Sequence, residues 1–201
     1  MIGVSFVFAA TAPDADWATS TLVLLQSVTI VVALWTSGLA RADSPVNAGF
    51  LLVAVALAAA NLIHGSSDLN AAVGIVSGLL VLMTAVVIAL SIIEQGEINP
   101  QSITGAICIY LLLGMIFVFV YGAMAVLGNG PFFAQGTDGT RAVRLYFSYV
   151  TLATLGYGDY TAAGNLGRTL SVVEALLGQL YLVTVVAVLV SRMRPKRFDD
   201  D

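Results

Sequence analysis

The chain has 201 residues, of which 59% are hydrophobic and only 10% charged, with a formal net charge of −4. Soluble domains carry about a quarter charged residues, so this composition excludes a water-soluble globule and assigns the chain to a bilayer. The single cysteine, Cys108, lies in an apolar run and rules out an intrachain disulfide.

A membrane-spanning helix needs about 20 mostly apolar residues. The stretch from Ile2 to Ala12 is apolar but too short, and no basic region precedes it, which argues against a signal peptide. Two readings stand for it, the end of a truncated helix or a frayed interfacial segment. Residues 18–40 carry no charge and form the first predicted span, broken by Arg41-Ala-Asp-Ser-Pro45. Residues 46–63 are a second uncharged run, followed by the turn-rich His64-Gly-Ser-Ser-Asp-Leu-Asn70. Residues 71–93 are a third, and Gly74 and Gly78 within it have the spacing that permits close helix contact. Glu94-Gln-Gly-Glu-Ile-Asn-Pro100 ends that run, and Pro100 suits the first turn of the next helix. Residues 102–128 form the fourth span and residues 167–191 the last. Trp17 and Trp35, near span ends, read as interface anchors.

The segment between the last two spans differs in kind. Residues 129–140 are loop-like, and residues 141–153 are too short to span and carry Arg141 and Arg144. They are predicted to form a re-entrant helix. The next stretch, residues 151–159, reads Thr-Leu-Ala-Thr-Leu-Gly-Tyr-Gly-Asp. Gly156 and Gly158 tolerate backbone angles closed to other residues, so such a strand can turn its carbonyls toward one axis. Aligned carbonyls are what a dehydrated cation needs in place of its water shell. Non-helical backbone at membrane depth is tolerable only when buried in protein or lining water.

This stretch resembles the selectivity-filter signature of potassium channels, Thr-Val-Gly-Tyr-Gly-Asp, with Leu155 in the valine position. The resemblance extends through Tyr146-Phe-Ser-Tyr-Val-Thr151 and Gly167-Arg168 to about Ser191, and the C-terminal half is similar to bacterial ion-channel-domain proteins. It implies an all-α membrane protein, a helical bundle with a re-entrant pore helix and a filter loop, and a tetrameric cation-channel pore. It implies K⁺ sites at the carbonyls of Thr154, Leu155, Gly156 and Tyr157 and at the Thr154 hydroxyl, with Gly158 completing the filter. The Tyr157 ring would pack against the pore helix, Asp159 would sit at the outer mouth, and Thr151 would support the filter from behind. Tyr146, Phe147 and Tyr149 stand where the family often has tryptophans. Because one chain supplies one strand and a filter needs four, a homotetramer is expected.

Glu174 is the one ionisable residue well inside a predicted span, about 9 Å deeper along the helix than Arg168. A charge at that depth is costly without a partner, so Glu174 is expected to brace the filter through Ser148, Thr151 or Thr154, with gating as the alternative. Gly178 is a candidate hinge or a close-packing site, and Gln179 reads as an interhelical hydrogen-bonding residue.

The domain reading is therefore residues 1–17 as a short apolar segment, 18–101 as peripheral helices, 102–191 as a pore domain and 192–201 as a tail. Four of the eight basic residues, Arg192, Arg194, Lys196 and Arg197, directly follow the last span and predict a cytoplasmic C-terminus, with Arg41 on the same side. The resemblance to bacterial ion-channel-domain proteins implies a bacterial plasma membrane. No voltage-sensor row of basic residues occurs in the peripheral spans, and the short tail leads to the expectation of no cytosolic ligand-binding domain. K⁺ as permeant ion, membrane lipids and further copies of the chain are the expected partners, with no nucleic acid, no cofactor and no enzymatic chemistry. Rival readings are a weakly selective cation channel, a secondary transporter and a non-conducting membrane scaffold.

Overall fold

The computed structural model describes residues 1–13, 15–37, 45–64, 67–95 and 100–192. These form seven helices: α1 (Ile2–Thr11), α2 (Asp16–Ser37), α3 (Pro45–His64), α4 (Ser67–Gln95), α5 (Pro100–Leu127), α6 (Arg141–Leu152) and α7 (Asn165–Arg192). Among the described residues, four helices are long and apolar enough to cross a membrane, over Trp17–Thr36, Ala72–Glu94, Ser102–Leu127 and Asn165–Val185. The apolar stretch of α3 is Leu51–Ile63. The protein is an all-α, multi-pass membrane protein. Arg41 and residues 193–201, on which the expected orientation rests, lie outside the described residues.

The long helices are apolar all round, as lipid-embedded helices are, and they sort into two groups that meet on α5. Val23, Ile30, Leu34, Ala54, Ala58, Val73 and Leu80 form one core between α2, α3 and α4. Val81 and Ala85 of α4 meet Leu112 and Met115 of α5 in the next. Gly78 lets α4 approach α5, since a side chain there would run into Phe119 Cβ at 3.0 Å, whereas Gly74 faces open space. The Gly-x-x-x-Gly spacing therefore makes one close contact, and it is with α5 rather than among the peripheral helices.

On the far side of α5 lie α6 and α7. Phe117, Tyr121, Phe132, Phe133, Phe147 and Ala162 make an aromatic core that joins α5, the 128–140 loop, α6 and the segment before α7. The N-terminal segment is an ordered helix. Ser5 and Ala9 of α1 are buried, and Phe6 meets Tyr149 of α6 edge-on, with ring centroids 5.0 Å apart. The frayed-segment reading of residues 2–12 is thus replaced by a helix packed on α6, because Phe6 and Phe8 supply apolar surface toward Ala9, Leu22, Val118 and Leu145.

The seat of α6 on α5 depends on Gly114. A Cβ there would lie 2.7 Å from Tyr149 Cζ and 2.9 Å from Tyr149 Cε1, and the Tyr149 hydroxyl donates to the Leu111 carbonyl. Gly114→Ala is expected to force Tyr149 aside and to cost about 1–3 kcal/mol as an overpacked site. Thermal unfolding of the purified protein in detergent should show the loss, and an unchanged midpoint would contradict this packing.

Candidate functional site

The 12-residue α6 is pinned at both ends. Thr140 caps it, its hydroxyl accepting from the Val143 amide at 3.2 Å. Arg141 donates to the Thr19 hydroxyl of α2 at 2.6 Å. Arg144 donates to the carbonyls of Asp138 at 3.1 Å and Gly139 at 2.6 Å. The two arginines of this short segment thus secure the start of α6 to its surroundings.

At its other end α6 hands over to non-helical chain. The amides of Ala153, Thr154 and Leu155 turn back onto the carbonyls of Tyr149, Thr151 and Val150 at 3.0, 2.9 and 2.8 Å. Thr154, Gly156 and Gly158 then take positive φ values of 57°, 58° and 78°. Thr154 is the one non-glycine residue with positive φ among the described residues, a conformation that costs an L-residue roughly 1–2 kcal/mol. Residues 153–159 are exposed in the single chain.

The far end of this segment is tied down by its neighbours. The Tyr157 ring stacks on Tyr146 of α6, with centroids 6.3 Å apart and an interplanar angle of 16°. Gln135 reaches across from the loop, donating to the Asp159 carbonyl at 2.8 Å and accepting from the Thr161 amide at 3.3 Å. Around it, the Ala134 amide donates to the Thr161 carbonyl and the Ala163 amide to the Phe132 carbonyl, each at 2.8 Å. The loop is itself folded by Asp138, whose Oδ1 accepts from the Phe132 amide at 2.9 Å.

Residues 132–194, which contain all of these groups except the N-terminal partners, match the family model described as ion channel. Over 93 residues the chain is 32% identical to the inward rectifier potassium channel Kirbac3.1 of Paramagnetospirillum magnetotacticum, covering 46% of this chain and 30% of that protein. Over 46 residues it is 48% identical to the probable potassium channel protein 2 of Methanocaldococcus jannaschii, covering 21% of this chain and 13% of that protein. This segment is therefore similar to the pore segments of ion channels, potassium channels among them. The family is one of channels rather than enzymes. The chain spans less than a third of the length of either relative. No solved structure gives a significant match.

Between α5, α6 and α7 lies a buried polar network centred on Glu174, which is fully buried on α7. Tyr121 of α5 donates to its Oε2 at 2.5 Å, and Ser148 of α6 lies 2.5 Å from its Oε1. The Ser148 hydroxyl also lies 2.8 Å from the Gly114 carbonyl. One carboxyl group thus joins three helices. Of the three residues named from sequence, Ser148 is the one at Glu174, while Thr154 meets Gln179, whose Nε2 donates to the Thr154 hydroxyl at 3.1 Å. Gly178 packs against the end of α6, where a Cβ would sit 2.9 Å from Leu152 Cδ1 and closer still to the Leu152 carbonyl. That geometry gives Gly178 a packing role whatever else it does.

Sequence reasoning did not single out Tyr121, Gln135 or Gly114. Tyr121 left a signal, since it is, with Tyr110, one of two phenol hydroxyls inside a mostly apolar span that must find partners in lipid surroundings. Gln135 left none, since a glutamine in a polar loop is unremarkable until the loop is folded back on residues 159–161.

Glu174→Val is expected to destabilise the fold by leaving the Tyr121 hydroxyl buried without an acceptor, a penalty of about 1–3 kcal/mol. Glu174→Gln retains an acceptor for Tyr121 and an amide toward Ser148, so it should stay close to the parent. Adding Tyr121→Phe to the valine variant should recover part of the loss. Denaturation of the four proteins in detergent checks this, and equal stability of the valine and glutamine variants would contradict it.

Proposed function

We propose that the chain is the pore-forming subunit of a potassium-selective channel, conducting K⁺ passively through a filter formed by Thr154, Leu155, Gly156, Tyr157 and Gly158 from four copies. The observation that carries the reading is the alternation of positive φ at Thr154, Gly156 and Gly158, with negative φ at the residues between them. A backbone that alternates in this way turns successive carbonyls to one side, whereas an ordinary strand points them to opposite sides. Carbonyls so arranged can replace the hydration shell of a cation. One relative is named an inward rectifier potassium channel and the other a probable potassium channel protein, which supports K⁺ as the ion.

The same segment supports assembly. Exposed non-helical backbone at membrane depth cannot face lipid and must line water or be covered by protein. Further copies of the chain meet both conditions, and the neighbouring α7 face, with Val172, Val173, Leu176 and Leu180 exposed, offers apolar surface for them. In this reading α6 also directs its C-terminal, partially negative end toward the inner end of the filter. Asp159 contributes negative charge at the outer mouth, and Thr151 and Glu174 support the filter through α6 and α7. The cytoplasmic C-terminus and the plasma-membrane location belong to the same proposal.

Purified protein reconstituted in planar bilayers should pass current whose reversal potential in mixed K⁺/Na⁺ follows K⁺, and native mass spectrometry should show tetramers. Gly156→Ala places a Cβ at φ 58°, a conformation penalised by roughly 1–2 kcal/mol in each subunit, and should abolish the current. A conducting alanine variant with unchanged ion preference would remove the filter assignment.

Voltage dependence should be shallow. The three uncharged runs before the pore contain no lysine or arginine, and each charge moved through 100 mV contributes only about 2.3 kcal/mol. A conductance–voltage curve as steep as several gating charges would contradict this.

A further inference from the structure

We propose that Gln179 is a positioning residue for the innermost cation site, an assignment that rests on the channel reading above and names a residue that reading does not use. Three observations converge on it. The Gln179 amide donates to the Thr154 hydroxyl at 3.1 Å, linking α7 to the first residue of the filter. Thr154 is held at φ 57°, where a β-branched residue is a poor fit and its side chain gains from an external tether. Gly178, the residue before Gln179, sits so close to the Leu152 carbonyl that no side chain fits between them.

The third observation explains the first. With no Cβ at position 178, α7 closes onto the last turn of α6, and this contact fixes the height of α7 against the start of the filter. The next side chain along then arrives at Thr154. Gly178 sets the register and Gln179 uses it.

The chemistry follows from the inventory of each group. A threonine hydroxyl has two lone pairs and one proton. The Gln179 N–H takes one lone pair and thereby fixes the hydroxyl oxygen in one orientation. The other lone pair remains to face a dehydrated cation, in concert with the backbone carbonyls. Without the amide, the hydroxyl turns freely and the innermost site loses a fixed ligand. The sites farther out, built from the carbonyls of Leu155, Gly156 and Tyr157, lose nothing directly.

Ba²⁺ is a suitable probe because it has nearly the radius of K⁺ and twice its charge, so it dwells where K⁺ only passes. The full chain is reconstituted in planar bilayers, and Ba²⁺ exit is timed separately toward the inner and the outer solution. Gln179→Met keeps length and removes the donor. It is expected to speed inward exit about ten-fold, in line with losing one hydrogen bond, while outward exit stays within about two-fold. Gln179→Asn, one methylene too short to reach Thr154, should behave in the same direction and serves if the methionine variant does not assemble. Both exits unchanged, or both accelerated equally, would overturn the assignment, the second because it signals general loosening. A parent protein that shows neither K⁺ current nor Ba²⁺ block would overturn the channel reading itself.

Discussion

A helix of 12 residues cannot cross a bilayer, so the rest of this structure depends on how α6 is held at membrane depth. The answer is a small set of polar contacts inside apolar surroundings. Tyr121, Ser148 and Glu174 join α5, α6 and α7 through one carboxyl group. Such a network is strong in a low-dielectric interior and expensive when half satisfied. It gives α6 one position rather than a range of sliding ones, which greasy packing alone would allow. The strand that follows α6 takes its starting point from that position.

The same logic accounts for the contrast between the two halves of the chain. The α2, α3 and α4 core is built from Val23, Ile30, Leu34, Ala54, Ala58, Val73 and Leu80, and such side chains exchange neighbours at small cost. Around α6 the contacts are directional: a capping threonine, two arginines on a hydroxyl and on carbonyls, and a glutamine at the Asp159 end of the segment that follows. Directional contacts appear where backbone leaves the helix and its polar groups need named partners.

Much of this was legible beforehand. Long uncharged runs mark helices in any bilayer protein, because lipid offers no partner to an open backbone. Residues 151–159 announced themselves by glycine spacing, since few other reasons place Gly156 and Gly158 around an aromatic residue between two apolar segments. Glu174 was conspicuous as a lone carboxylate at depth, but its partners were not. Tyr121 lies 53 residues away and Ser148 lies 26 away, and no periodicity along one helix encodes what another brings beside it. Gly178 shows the converse: a glycine in an inner helix invites a hinge reading, and only the nearby Leu152 carbonyl reveals the packing. The N-terminal helix was legible only as one of two readings, for a different reason. It is too short to be recognised as a span, and its order comes from tertiary surface rather than from its own length.

That helix gives the first residues of the chain an unexpected address. Phe6 rests on Tyr149, and Tyr149 in turn is hydrogen-bonded to α5 one turn before the chain departs from α6. Two aromatic rings therefore stand between α1 and the segment that carries positive φ. A bulky label attached at Phe6 would press on the support of α6 and not on a remote surface. Labels intended to leave that region undisturbed belong elsewhere on the molecule.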